Sequence, residues 1–161
     1  MHSSRRRRTL IGVFAALVAI VAAAAPVGAA TPQDVTIVSH VTFDPDGNYG
    51  DFIASGPAVT SGLICGSGTF IDTRLQFAGF QGRHGIVQLL VVKEFTCDDG
   101  TGTFEVKLQI RANFDTGIET FTWTVLGGTD QYESLHGGGH GSTVGNPPTG
   151  NINTYVGKLL G

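Results

Sequence analysis

The chain has 161 residues, with 10 Lys and Arg against 13 Asp and Glu and a net charge of −3. That length suits a single domain with one hydrophobic core, and the slight acid excess argues against a phosphate-binding role. Its 24 glycines lie well above the usual share of about 7%. Valine, isoleucine, leucine and phenylalanine are plentiful beside them, which excludes disorder and suits short strands joined by tight turns.

Residues 1–30 read as a signal peptide. Arg5 to Arg8 form a basic n-region, Leu10 to Ala25 an unbroken apolar run, and "PVGAAT" offers small residues for cleavage after Ala29 or Ala30. A membrane anchor would want about 20 apolar residues, and Pro26 and Gly28 cut this run short. The arginines before "TLIG" have something of a twin-arginine signal, although the apolar run suits the general export route. Secretion is therefore expected, with residues 31–161 as the mature domain. Four of the ten bases and none of the thirteen acids lie in the leader, so the mature chain holds six bases against thirteen acids, a net charge of −7. No basic patch remains for nucleic acid.

Beyond the leader the pattern is of strands. "DVTIVSHVTF" puts Val35, Ile37, Val41 and Phe43 on one side and His40 with the polar residues. "DPDGN" at 44–48 is a turn signal. Asp44, Asp46 and Asn48 have calcium-loop spacing, but Tyr49 and Ser55 stand where such a loop needs glycine and glutamate, and a hairpin is the simpler reading. Short strands are expected at Asp51–Ala54 and Ala58–Ile64. "FIDTRLQFAG" sets Ile71, Leu75 and Phe77 opposite Asp72, Arg74 and Gln76. "GIVQLLVVKEFTC" is apolar on both faces, with Val87, Leu89, Val91 and Phe95 on one side and Ile86, Leu90 and Val92 on the other. A strand dry on both sides needs cover outside as well as inside, which suggests a subunit interface and a homo-oligomer.

Phe104 to Phe114 alternates cleanly, with Phe104, Val106, Leu108, Ile110, Ala112 and Phe114 on the dry face. "ETFTWTVL" sets Phe121, Trp123 and Val125 against threonines, and a last strand is expected at Ile152–Leu160. Cys65 opens "CGSGTF" and Cys97 opens "CDDGTGTF", so one turn is written twice. In an exported protein two such cysteines, each closing a strand before a reversal, read as one disulfide. A redox or metal pair is the alternative.

"GGTDQYESLHGGGHGS" at 127–142 invites a metal reading of His136 and His140. In a strand, residues four apart share a face about 13 Å apart, too far for one ion, and three successive glycines disfavour a helix. "DQYESL" allows one helical turn with Tyr132 and Leu135 on one side. The glycines then start a strand in which bulky neighbours approach the backbone closely. No metal and no cofactor is expected.

Seven to nine antiparallel strands must stack as two sheets or close. The Cys…Trp…Cys order of an immunoglobulin-type sandwich is absent, because Trp123 follows both cysteines. A closed barrel, which leaves no open edge, is the expected architecture: all-β, antiparallel, about eight strands.

The segment "VLGGTDQYESLHGGGHGS" resembles the glycine-rich G-G-T-G-x-[YF] element of the allene oxide cyclase/dirigent-like β-barrels, above all their small secreted bacterial members without assigned activity. "FTCDDGTGTF" and "INTYVGKL" are similar to elements of those proteins, while Asp130 stands where they usually have glycine. The resemblance implies an eight-stranded barrel and often a dimer or trimer; it transfers no catalytic residues. Two functions follow as expectations. One is a non-catalytic, exported binding or surface-interaction module. The other is a cyclase or isomerase holding a small apolar ligand inside the barrel among Phe104, Leu108, Phe121, Trp123 and Tyr132, unless those side chains simply fill it.

Overall fold

A computed structural model describes residues 30–81, 85–113, 115–146 and 150–161. The expected leader, His84 and Phe114 lie outside the described residues. Eight strands run in chain order: β1 Gln33–Thr42, β2 Tyr49–Ser55, β3 Ser67–Gln81, β4 Ile86–Cys97, β5 Thr103–Asn113, β6 Ile118–Gly128, β7 His136–Asn146 and β8 Gly150–Leu160. Each pairs antiparallel with its predecessor, and β8 pairs with β1, closing the barrel. Alternation in β1, β5 and β6 is the cause: one face of each strand is apolar and needs an interior. Accordingly Val35, Ile37, Val41, Phe104, Val106, Leu108, Ile110, Phe121, Trp123 and Val125 are all buried.

The two ends differ. At one end a short helix, α1 Pro57–Thr60, and a 3-10 turn, Asp130–Tyr132, fold across the opening. They bury Ala58, Ile64, Tyr132 and Leu135. The Cys65–Cys97 disulfide, with Cα atoms 5.9 Å apart, ties this cap to the end of β4. Tyr132 forms the helical turn with Leu135 that "DQYESL" suggests, and its hydroxyl lies 2.7 Å from Thr101 Oγ1 and 3.2 Å from Cys97 Sγ. Asp130 has φ 54, a left-handed conformation that glycine adopts most readily.

Two expectations need correction. Ala58–Ile64 is not a strand: Pro57, pre-set at the first helical position, starts α1, and the backbone turns at Ser61 and Gly62 before Cys65. Cys65 thus follows the cap rather than ending a strand, yet it meets Cys97. In β3 the dry face is the opposite one. Phe70 is buried and Ile71 faces out; a register shift between Asp72 and Arg74 then resets the phase. Leu75 and Phe77, in register with Val91 and Leu89, return to the inner face beyond the end of β2, and they are 54% and 79% exposed.

Ile86 and Val92 are already buried within one chain, with Val92 standing in register between Arg74 and Lys107. Leu90, on the same outer face, is half-buried.

The glycines of β7 and β8 make room for rings. A Cβ on Gly141 would lie 2.3 Å from Phe121, and one on Gly157 would lie 2.6 Å from Trp123. His136 and His140 sit on the outside of β7, both exposed. Among the described residues no group of three or more His, Cys, Asp or Glu is placed to hold a metal.

Candidate functional site

The barrel interior has two compartments. Toward the capped end it is a packed aromatic block. Phe95 stacks on Phe104 with centroids 5.0 Å apart, Phe52 meets Phe95 edge-on at 5.1 Å, and Phe104 meets Tyr132 at 5.5 Å. Phe121 and Trp123 pack on the Tyr155 ring at 4.9 and 6.2 Å. The sequence-derived ligand set therefore lies in this block: Phe104, Leu108, Phe121, Trp123 and Tyr132 are all buried against one another and their neighbours. They fill the space an apolar ligand would need, as an eight-stranded barrel's narrow bore allows.

Toward the end opposite the cap the interior turns polar. Lys93, on the dry side of β4 between Val91 and Phe95, forms an ion pair with Asp72 of β3; their side chains are 3% and 7% exposed. Asn48 donates to the second Asp72 oxygen at 3.0 Å, and the Lys93 ammonium stands 4.4 Å from the centre of the Phe70 ring. Burial pulls the Lys93 pKa below the ordinary lysine range, opposed by the charge and hydrogen bond of Asp72.

Across the bore, β6, β7 and β8 supply Glu119, Thr143, Asn151 and Asn153. The Thr143 hydroxyl lies 2.6 Å from Glu119 Oε1 and 2.9 Å from Asn153 Oδ1. It has one proton to donate, so it can satisfy one of these acceptors unless the Asn153 amide is turned to donate to it. Beneath them the Tyr155 hydroxyl emerges from the aromatic block, with Ser39 and Asn153 as its polar neighbours. Burial holds its pKa well above the ordinary phenol range.

Among the described residues Asn151 Oδ1 is buried without a hydrogen-bond partner, and deeper in the core Ser39 Oγ and Tyr155 Oη have none of good geometry, although Ser39 and Asn153 stand close to the phenol. Leaving such a group unpaired costs about 1–3 kcal/mol. Unpaired buried polar atoms normally have water or a ligand to meet them.

Asn48, Asp72, Lys93, Glu119, Asn151 and Asn153 form the polar side of a cavity of about 170 Å³, whose apolar wall includes Val41, Phe43, Leu75, Leu89 and Ile110. A wider cleft of about 400 Å³ adjoins it at the mouth, sharing Phe43, Glu119 and Asn151 and adding Ala112, Ile118 and Gly145. Sequence reasoning missed this site, although Lys93 within a dry strand face and Ser39 between Ile37 and Val41 both signalled it.

Comparisons with family models, with curated proteins and with solved structures gave no match.

Proposed function

We propose that the mature chain is an exported, non-catalytic binding barrel that holds a small ligand in the half of its bore opposite the cap. One observation carries the reading: Asn151 presents an unpaired buried polar atom at a cavity that Asp72, Lys93, Glu119 and Asn153 also line, while the opposite half of the bore is filled with rings and capped. A pocket with a few convergent polar groups and an apolar wall is the usual form of a ligand site. Export is supported by the leader-like first thirty residues and the disulfide. The resemblance to allene oxide cyclase/dirigent-like barrels supports the same class of molecule, and a dimer or trimer with it.

Native mass spectrometry of protein secreted by an expressing host tests the proposal. Retention of a small molecule, lost on replacing Asn151 with leucine, is the expected result. A bare polypeptide mass under gentle conditions, together with failure to take up any amphiphile, would overturn it.

A second reading, a cyclase or isomerase, draws support from the ionisable side chains on the cavity: Lys93, Asp72 and Glu119 could move a proton on a confined substrate. It differs in one outcome, because a ligand recovered after incubation would have a changed structure.

A further inference from the structure

We infer that Lys93 is a covalent attachment point: its amine condenses with the carbonyl of a small apolar aldehyde in the cavity and holds it as an iminium paired with Asp72. The inference rests on the binding-barrel reading and names the ligand's reactive group.

Placement comes first. Lys93 lines the cavity of about 170 Å³ together with Glu119, Asn151 and Asn153, and it is only 3% exposed. The other two lysines of the chain, Lys107 and Lys158, stand on the outer faces of β5 and β8, and neither lines the cavity. Withdrawal from water disfavours an ammonium, which is why lysines that form imines are commonly buried. Burial does lower the Lys93 pKa, against the opposing pull of Asp72. The wall beside the amine is apolar, made by Val41, Leu75, Leu89 and Ile110. The adjoining cleft continues that surface through Phe43, Ala112 and Ile118, so a short hydrocarbon chain has a path outward.

The ion pair decides the reacting group. Asp72 accepts a hydrogen bond from the Lys93 ammonium, so it can take one proton as the nitrogen attacks the carbonyl carbon. A second nitrogen proton moves to the oxygen, giving a carbinolamine. Asp72 then returns its proton to that hydroxyl, which leaves as water. Summed, ammonium plus aldehyde gives iminium plus water: a C=N bond replaces a C=O bond, nothing is oxidised or reduced, and the nitrogen is cationic before and after. Asp72 therefore keeps its partner. An acyl donor would instead leave a neutral amide and strand a buried carboxylate, which is strongly unfavourable. The carbinolamine hydroxyl is a proton donor, and Asn151 Oδ1 is an unpaired acceptor on the same cavity.

Octanal with sodium cyanoborohydride, which reduces an iminium faster than an aldehyde, fixes the adduct, and peptide mapping of the mature chain locates it. An octyl group on Lys93, formed about tenfold faster than on Lys107 or Lys158, is the expected result. Octan-1-ol has the same chain and no carbonyl; it should slow labelling of Lys93 and leave that of the outer lysines unchanged. Lys93→Arg keeps a cation beside Asp72 but forms no imine, and should abolish the fast adduct with its circular dichroism unchanged. Labelling of Lys107 and Lys158 ahead of Lys93, with saturable calorimetric binding of octan-1-ol, would overturn the attachment and leave the binding barrel standing. The same labelling order with no binding of octan-1-ol would overturn both.

Discussion

Replacing Lys93 with methionine probes the polar compartment from the inside. Lys93 and Asp72 are almost wholly withdrawn from water, at 3% and 7% exposure. Removing the ammonium strands a buried carboxylate, a loss that usually costs 3–5 kcal/mol. Asn48 still donates to Asp72 at 3.0 Å, which places the expected cost at the lower end, about 3 kcal/mol. For a domain of this size that is a fall in Tm of roughly 10 °C. Removing both charges is a different matter, because well-packed apolar pairs often match or exceed a buried ion pair. Lys93→Met with Asp72→Leu should therefore return to within about 1 kcal/mol of the parent. Urea denaturation of the parent, both single variants and the double variant gives the coupling energy directly. A cost under about 1 kcal/mol for Lys93→Met, or a double variant whose loss equals the sum of the singles, would refute the burial argument.

Three further outcomes are expected. Replacing Cys65 and Cys97 together by serine opens a loop with a sequence separation of 32 and should cost about 3–4 kcal/mol in the chain-entropy account. Chemical denaturation checks it, and a loss below about 1 kcal/mol would contradict the cap's dependence on that link. Gly141→Ala puts a Cβ 2.3 Å from the Phe121 ring and 2.4 Å from Thr154 O, so overpacking should cost about 1–3 kcal/mol, visible as a lower urea midpoint with an unchanged slope.

The alkaline limb of stability should carry the signature of Tyr155. Its pKa is raised by burial, so the unfolded chain loses this proton first; the contribution is fully present below about pH 10 and drains away above it. Lys93, with a pKa lowered by burial, acts in the opposite sense, its penalty easing as pH rises toward about 10.4. Tyr155→Phe should flatten the loss above pH 10 by up to about 1.4 kcal/mol per pH unit. An identical alkaline slope in parent and variant would show that the phenol is not held in the core. At pH 7 the same variant should be no less stable, since it deletes an unpaired hydroxyl.

The barrel was legible because period-two alternation in β1, β5 and β6 demands a single interior, and eight such strands with short connections close most simply on themselves. The cap was partly legible: Tyr132 and Leu135 stood out, but the residues after Pro57 carried enough apolar character to read as a strand. In β3 the alternation was real, yet a bulge after Asp72 changes phase midway. Carrying the phase of Leu75 and Phe77 back across it assigns Asp72 to the wet face. That one slip hid the Lys93–Asp72 pair, because a lysine among Val91 and Phe95 looks anomalous until an inward acid is found for it. Ser39, Asn151 and Asn153 were hidden for another reason. Single neutral polar residues on inward positions change the pattern little, and only the closed ring brings strands β1 and β8 together to make them one surface.

Amide and side-chain amide NMR during titration with a small amphiphile tests most directly whether the polar half of the bore is the receptive one. The account predicts saturable shifts at Glu119, Thr143, Asn151 and Asn153, with Phe104, Leu108 and Tyr132 of the packed half unmoved. Shifts centred on the capped aromatic half, or none at saturating ligand, would contradict it.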